Sequence, residues 1–227
     1  MNTLLIPLIG PMQSWGSRSR FDDRDTQLAP TKSAVIGLLC AALGRRREEE
    51  ISDLTTMRFG VRIDAPGRAF RDFQTAQNVI KADGTGKTSV TSSRHYLAGA
   101  RFIAGFESDN LCLLREVEQA LRSPKFTLCL GRKSFPLTVP PYFPKGSIRE
   151  HRPLETALQQ EPWRYLDEIE LPAKPRRLPV LFEAENGEIL ISDLPISFSQ
   201  RTFRQRRLTL EYVEVSNEVE KWCTCPN

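Results

Sequence analysis

Gly10 to Gly44 reads GPMQSWGSRSRFDDRDTQLAPTKSAVIGLLCAALG, and the fold turns on how this stretch is read. The apolar run before it, within Thr3–Ile9, predicts a buried first strand, and Gly10-Pro11 turns the chain out of it. Pro30 stops extended chain, Ser33 is a plausible N-cap, and Gly44 suits the residue just past a helix, so Ser33–Leu43 is expected to be helical. A strand thus hands a loop carrying Met12, Gln13, Ser14 and Trp15 to one end of an apolar helix. Trp15 offers an aromatic face and Gln13 a two-way amide, while a helix N-terminus favours anions such as phosphate. The alternative is a tryptophan buried in a structural loop.

Working outward, Ile51, Leu54 and Met57 share one short helical face, and Arg58–Asp64 alternates as a strand. Ala65-Pro66-Gly67 turns the chain into a second strand, Arg68–Thr75. Ser108 or Asp109 is expected to cap a helix reaching Leu121, Ser123-Pro124 ends it, and Lys125–Leu130 reads as a strand. The order strand, helix, strand, strand, helix, strand is the ferredoxin-like, α+β arrangement that RNA-recognition modules also use. Gln74–Arg94, QTAQNVIKADGTGKTSVTSSR, departs from it: too polar to bury, it predicts a protruding hairpin or loop turning about Asp83-Gly84. Gly86-Lys87-Thr88 is no phosphate loop, since Lys81 stands where that motif needs glycine. Beyond this unit, Pro153–Gln160 predicts a helix and Asn186-Gly187 a hairpin between Val180–Ala184 and Ile189–Ser192; Leu208–Val215 is a last strand. We therefore expect an RNA-recognition-like part over 1–148, its insertion near 76–93, and a smaller β-rich part over 149–227.

The hydrophobic share of 40% argues against disorder, and the net charge of +4 permits an acidic partner without demanding one. The distribution of charge says more. Seven cations lie between Arg122 and Arg152 against Glu150 alone, and Arg201, Arg204, Arg206 and Arg207 follow with no acid among them. Such blocks are the electrostatic footprint of nucleic-acid binding, or else a solvated surface. Within the first block, Gly131-Arg132-Lys133-Ser134 combines a glycine, two cations and a hydroxyl, a set suited to a phosphate backbone. Five cysteines, an odd number, suit reduced thiols in the cytosol. Cys223-Thr-Cys225 lacks a second ligand pair, and neither His95 nor His151 has ligand spacing, so no metal and no cofactor are expected. The first residues lack a signal peptide's basic start, and no run approaches the ~20 apolar residues of a membrane helix. A cytoplasmic protein without membrane contact is expected.

Four landmarks then come in order: GPMQSWG, PTKSAVIGLLCAALG, RDFQT and LGRKSFPLT. Together they resemble the CasD (Cas-five) family, subunits of the type I-E CRISPR surveillance complex called Cascade. The resemblance covers roughly residues 1 to 140 and implies a ferredoxin-like domain with a thumb-shaped hairpin. It implies binding of the 5′ handle of the guide RNA, contact with the backbone and large subunits, and engagement of target DNA through the complex. Carried over by position, the RNA-binding residues are Gln13, Trp15, Lys32, Ser33, Gly131, Arg132, Lys133 and Ser134, with Arg94 and Tyr96 at the base of the insertion. Some relatives instead cleave precursor RNA without metal, using tyrosine, lysine and histidine; Tyr96, Lys87 and His95 supply those residue types here. Adjacent residues of a strand point to opposite faces, so His95 and Tyr96 would not converge, and a non-catalytic chain is expected.

Overall fold

The computed structural model describes residues 1–17, 22–165, 177–214 and 219–222. In chain order the elements are β1 (Asn2–Ile9), β2 (Met12–Gln13), β3 (Asp23–Arg24), α1 (Lys32–Leu43), α2 (Ser52–Thr55), β4 (Arg58–Ala65), β5 (Arg68–Ile80), β6 (Lys87–Ala98) and β7 (Arg101–Ser108). There follow α3 (Leu111–Arg122), β8 (Ile148–Arg149), α4 (Leu154–Gln160), β9 (Trp163–Tyr165), β10 (Arg177–Glu183), β11 (Ile189–Ser197), β12 (Thr202–Glu214) and β13 (Val219–Lys221). The fold is mixed α/β around a seven-stranded antiparallel sheet, ordered β11-β12-β10-β4-β7-β1-β8.

Both faces of β1 are covered, which is why its sequence is a continuous apolar run rather than an alternating one. Leu4, Ile6 and Leu8 enter a core shared with Val35, Ile36 and Leu39 of α1 and with Leu114 and Val117 of α3. Leu5 and Ile9 point the other way, into a second core with Leu154 and Leu158 of α4. That helix approaches closely because Gly60 of β4 lies opposite Gly105 of β7, and a Cβ on either would press against Leu154.

Three expected pairings differ. Arg68–Thr75 does not return into the main sheet; it belongs to β5, which runs as a ribbon with β6 in a separate four-stranded sheet that β2 and β3 complete, and β7 takes the place beside β4. The ribbon therefore begins at Arg68 and its strands end at Ala98, wider than 76–93, with Asp83 and Gly84 in its turn. Lys125–Leu130 forms no strand, because its amides are spent elsewhere: Lys125 and Phe126 donate to the carbonyls of Ala42 and Ala41 at the end of α1, and Leu130 donates to Phe135. The edge beside β1 is taken instead by β8. Nor do β10 and β11 form a hairpin about Asn186-Gly187, because β12 lies between them. The glycine is needed there for another reason: a Cβ on Gly187 would come within 2.5 Å of the Leu208 backbone.

The sheet continues across residue 148, since β10 pairs with β4 over Val180–Phe182. The N-cap of α3 is Asn110 rather than Ser108 or Asp109; its side chain accepts from the Leu113 amide. No helix among the described residues is long and apolar enough to cross a membrane.

Candidate nucleic-acid interface

Three separate segments meet at the mouth of the first loop. Ser14 donates through its amide to the Leu130 carbonyl (3.0 Å) and through Oγ to the His95 carbonyl (3.2 Å). Arg132 donates to the same His95 carbonyl (2.8 Å) and lies 5.5 Å from the Phe135 ring. The loop after β1, the base of β6 and the Gly131 loop are thus one unit.

Within that unit several expected contacts are corrected. Gln13 and Trp15 are both fully buried. Gln13 Nε2 donates to the carbonyls of Leu8 (3.1 Å) and Ala100 (2.8 Å), and its Oε1 accepts from Trp15 Nε1 (3.1 Å). Their polar atoms are spent on holding the loop, so neither presents a group to RNA; the structural-loop reading of Trp15 wins. Gly131 has φ +87°, and a Cβ there would overlap the Ser14 carbonyl oxygen. The close approach this glycine permits is by the protein's own backbone rather than by phosphate. The next residues along the loop differ in exposure: Arg132 is half-buried, while Lys133 and Ser134 are exposed.

Lys32 is also internal. Its ammonium donates to Met57 O (2.7 Å) and to Glu183 (2.9 Å), and burial pulls its pKa down while Glu183 holds it up. The N-cap position is Thr31 rather than Ser33, with no side-chain cap bond of its own. The anion at this helix N-terminus is Asp193, whose Oδ2 accepts from the Lys32 amide (2.7 Å). A phosphate is not needed there. Ser33 is half-buried and donates to Thr31 Oγ1 at 3.4 Å.

Arg94 and Tyr96 stand at the ribbon's base. Tyr96 stacks on Phe70, with centroids 5.8 Å apart, and tilts against Phe135 at 5.9 Å. Arg94 pairs in register with Arg24 on one side and Asp72 on the other. Burial, then Arg94, then Arg24 push Arg132 below its ordinary value. Three guanidiniums gathered this way repel one another, and a polyanion would relieve that repulsion.

Of these residues Arg24 and Arg132 line a groove of about 640 Å³ along the outer face of α1, with Ser14, Ser33 and Gly131. Ala34, Gly37 and Ala41 form a floor of small side chains, and Phe126 and Phe203, 51% and 41% exposed, stand as aromatic surfaces beside it. Among the described residues its lining holds six arginines (Arg24, Arg45, Arg46, Arg47, Arg132, Arg201) against one acid, Asp25. Arg45 is held by Asp53, whereas Arg46, Arg47 and Arg201 enter no ion pair among the described residues. Sequence reasoning missed most of this. Arg45, Arg46 and Arg47 follow Gly44, whose left-handed φ of +81° ends α1 at the groove. That helix stop was the usable signal.

Of the two basic blocks, only Arg132 and Arg201 reach the groove's lining among the described residues. Arg122 pairs with Glu118 and Arg149 with Glu161, while Arg206 is buried against Asp193 and Arg207 donates to the Gly187 carbonyl. The residues of the cleavage alternative do not converge either. Lys87 lies opposite Ile80 and His95 opposite Arg71, so they are separated by eight residues of one strand, about 27 Å at a rise of ~3.4 Å per residue. His95 Nε2 sits 3.4 Å from Asp23 Oδ1, and Tyr96 belongs to the opposite face of β6. Cys223 and Cys225 lie outside the described residues.

Comparison with known proteins converges on one group. Residues 3–209 match the family described as CRISPR-associated protein (Cas_Cas5). The CRISPR system Cascade subunit CasD of Escherichia coli (strain K12) is 31% identical over 175 residues, covering 70% of this chain and 77% of that protein. A crystal structure of a Cas protein is 40% identical with a TM-score of 0.75, covering 93% of this chain and 95% of the other. A chain of a CRISPR RNA-guided surveillance complex is 28% identical with a TM-score of 0.77, covering 96% and 92%.

Proposed function

Because the chain belongs to the CRISPR-associated Cas5 family, we propose that it is a non-catalytic subunit of a Cascade-type RNA-guided surveillance complex and holds the 5′ handle of the guide RNA in the arginine groove. The observation that carries this reading is the groove's lining, six arginines against one carboxylate over a floor of small residues. Arginines neutralise phosphates and position the strand, while exposed Phe126 and Phe203 offer faces on which unstacked bases can rest. Gln13, Trp15 and Gly131 serve by fixing the loops that carry Ser14 and Arg132; Arg94, Arg132, Lys133 and Ser134 remain on the RNA side.

The neighbouring features take their roles from the same reading. Strands β4, β7, β1 and β8, with α1 and α3, have the neighbour order of a ferredoxin-like unit, its fourth strand reduced to two residues. The ribbon of β5 and β6 is the thumb, and exposed Phe73 and Ile80 on it suit contact with the complex's backbone subunit. The smaller β-rich part begins near residue 149 in this reading, and its strands β10, β11 and β12 extend the main sheet. The large subunit and target DNA are met through the assembly, in the cytoplasm, with no metal or nucleotide required.

Ultraviolet crosslinking of the assembled complex tests the groove. Crosslinks from the 5′ end of the guide RNA are expected at Phe126 and Phe203. Crosslinks confined to residues outside the groove would refute it.

A further inference from the structure

The ladder between β11 and β12 pairs Ser192 with Gln205 and Leu194 with Arg204, which leaves Asp193 as the extra residue of a bulge. A bulge re-aims a side chain, and this one sends a carboxylate inward until it is 1% exposed. Its Oδ2 accepts from the Lys32 amide at the start of α1 (2.7 Å), and Arg206 holds both oxygens, through Nε (2.5 Å) and a terminal nitrogen (2.7 Å). Thr31, the residue in the N-cap position, makes no side-chain cap bond, so the cap comes from 161 residues away. The other end of α1 is held from outside as well, by the amides of Lys125 and Phe126 on Ala42 and Ala41. α1 supplies the groove's floor, and Arg45 to Arg47 leave from its end. Asp193 itself does not line the groove.

We propose that Asp193, oriented by Arg206, is a positioning residue for RNA: it sets where α1 sits and hence where the groove's arginines stand, without touching the ligand. The inference rests on the reading of the groove as the RNA site. It gives the β-rich part a function in binding, since a bulge in an edge strand there fixes a helix of the RNA-recognition-like part. The polarity suits the task. A carboxylate at the positive end of a helix, itself neutralised by a buried guanidinium, holds the end without leaving an unpaired charge.

The test compares Asp193→Ala, Asp193→Asn and Arg46→Ala/Arg47→Ala in the full chain. Each is titrated with single-stranded RNA carrying the repeat-derived 5′ end, across a salt series and at a temperature where melting curves show the variant folded. Asp193→Ala should weaken binding about tenfold, the scale of one lost charge-assisted contact, and make the salt slope shallower. A merely stabilising residue would lower the folded fraction without changing the slope. Asp193→Asn keeps an acceptor for the Lys32 amide and should recover part of the affinity. If Asp193→Ala does not fold, Asp193→Asn and Asp193→Glu carry the comparison, because each moves or weakens the cap while retaining an acceptor. Folded Asp193 variants with unchanged affinity and slope, alongside a weakened Arg46/Arg47 variant, would overturn the proposal alone. Unchanged binding by the Arg46/Arg47 variant would overturn the groove reading beneath it.

Discussion

Ser14 and Gly131 meet through backbone alone: the space a Cβ on Gly131 would fill is occupied by the Ser14 carbonyl oxygen. Ser14 cannot retreat, because its amide is bonded to the Leu130 carbonyl and its hydroxyl to that of His95. Gly131 also stands at φ +87°, where a side chain is strained even in open space.

Gly131→Ala is therefore expected to destabilise the chain by roughly 3 kcal/mol or more, combining backbone strain with a clash against backbone that cannot yield. Urea unfolding measures this. A variant of wild-type stability would mean that the two loops are not docked as described. RNA affinity measured on the folded fraction should keep its salt slope, since no charge is removed.

A second expectation concerns Gln13 and Trp15. Gln13→Leu removes two buried hydrogen bonds and strands the Trp15 indole N–H; each unsatisfied buried group costs about 1–3 kcal/mol. Trp15→Phe strands the Gln13 carbonyl oxygen instead. In a double-mutant cycle the two changes should cost less together than the sum of the singles, with a coupling of about 1 kcal/mol. Strict additivity would show that the 3.1 Å contact between them contributes nothing.

Local signals were legible where they depended on neighbours in the sequence. The apolar run of β1 and the helix stop at Gly44 appear where the pattern put them. What could not be read were partners supplied from a distance. Lys125–Leu130 has a strand's composition, but its amides go to the carbonyls of α1 and to Phe135. Asn186-Gly187 has the composition of a tight hairpin, yet the glycine serves a crossing against Leu208 of β12. At the candidate site the same limit applies. Residue type alone offered Gln13 and Trp15 for RNA binding; only the burial of both shows that they build the loop. Nothing local to Arg46 and Arg47 says which way their side chains face; only the fold brings them to the groove.

Cys40 gives a pH-dependent expectation. Burial, the largest cause, pushes its thiol from 9.0 up to about 11, so the folded chain keeps the proton where the unfolded chain loses it. Between those two values the unfolded state binds fewer protons, so stability falls as pH rises across that window. The loss is on the order of 2 kcal/mol, and Cys40→Ala should remove it from the alkaline limb of a stability–pH curve. At pH 8 the native thiol should react with iodoacetamide roughly 100-fold or more slowly than free cysteine. Rapid labelling at Cys40, located by peptide mapping, would contradict its placement.

The last expectation separates the groove from the Gly131 loop as the source of charge. Arg46 and Arg47 are exposed, border the groove and enter no ion pair among the described residues, so their charge is available to phosphate. Lys133 is exposed but is absent from the groove's lining. For single strands the slope of log affinity against log salt is about −0.7 per phosphate neutralised. Arg46→Ala/Arg47→Ala should therefore make the slope shallower by roughly 1.4 units, with the largest loss of affinity at low salt. Lys133→Ala should change it by about 0.7 at most, and by less if the lysine only borders the strand's path. Exchanging both arginines for lysine keeps the charge and should restore most of the slope, although the planar guanidinium fork is lost and affinity should stay below that of the native chain. Melting curves of all three variants should overlay that of the native chain, because none of these side chains is buried. A slope altered by Lys133→Ala but untouched by the arginine pair would move the strand's path from the face of α1 to the loop after Leu130.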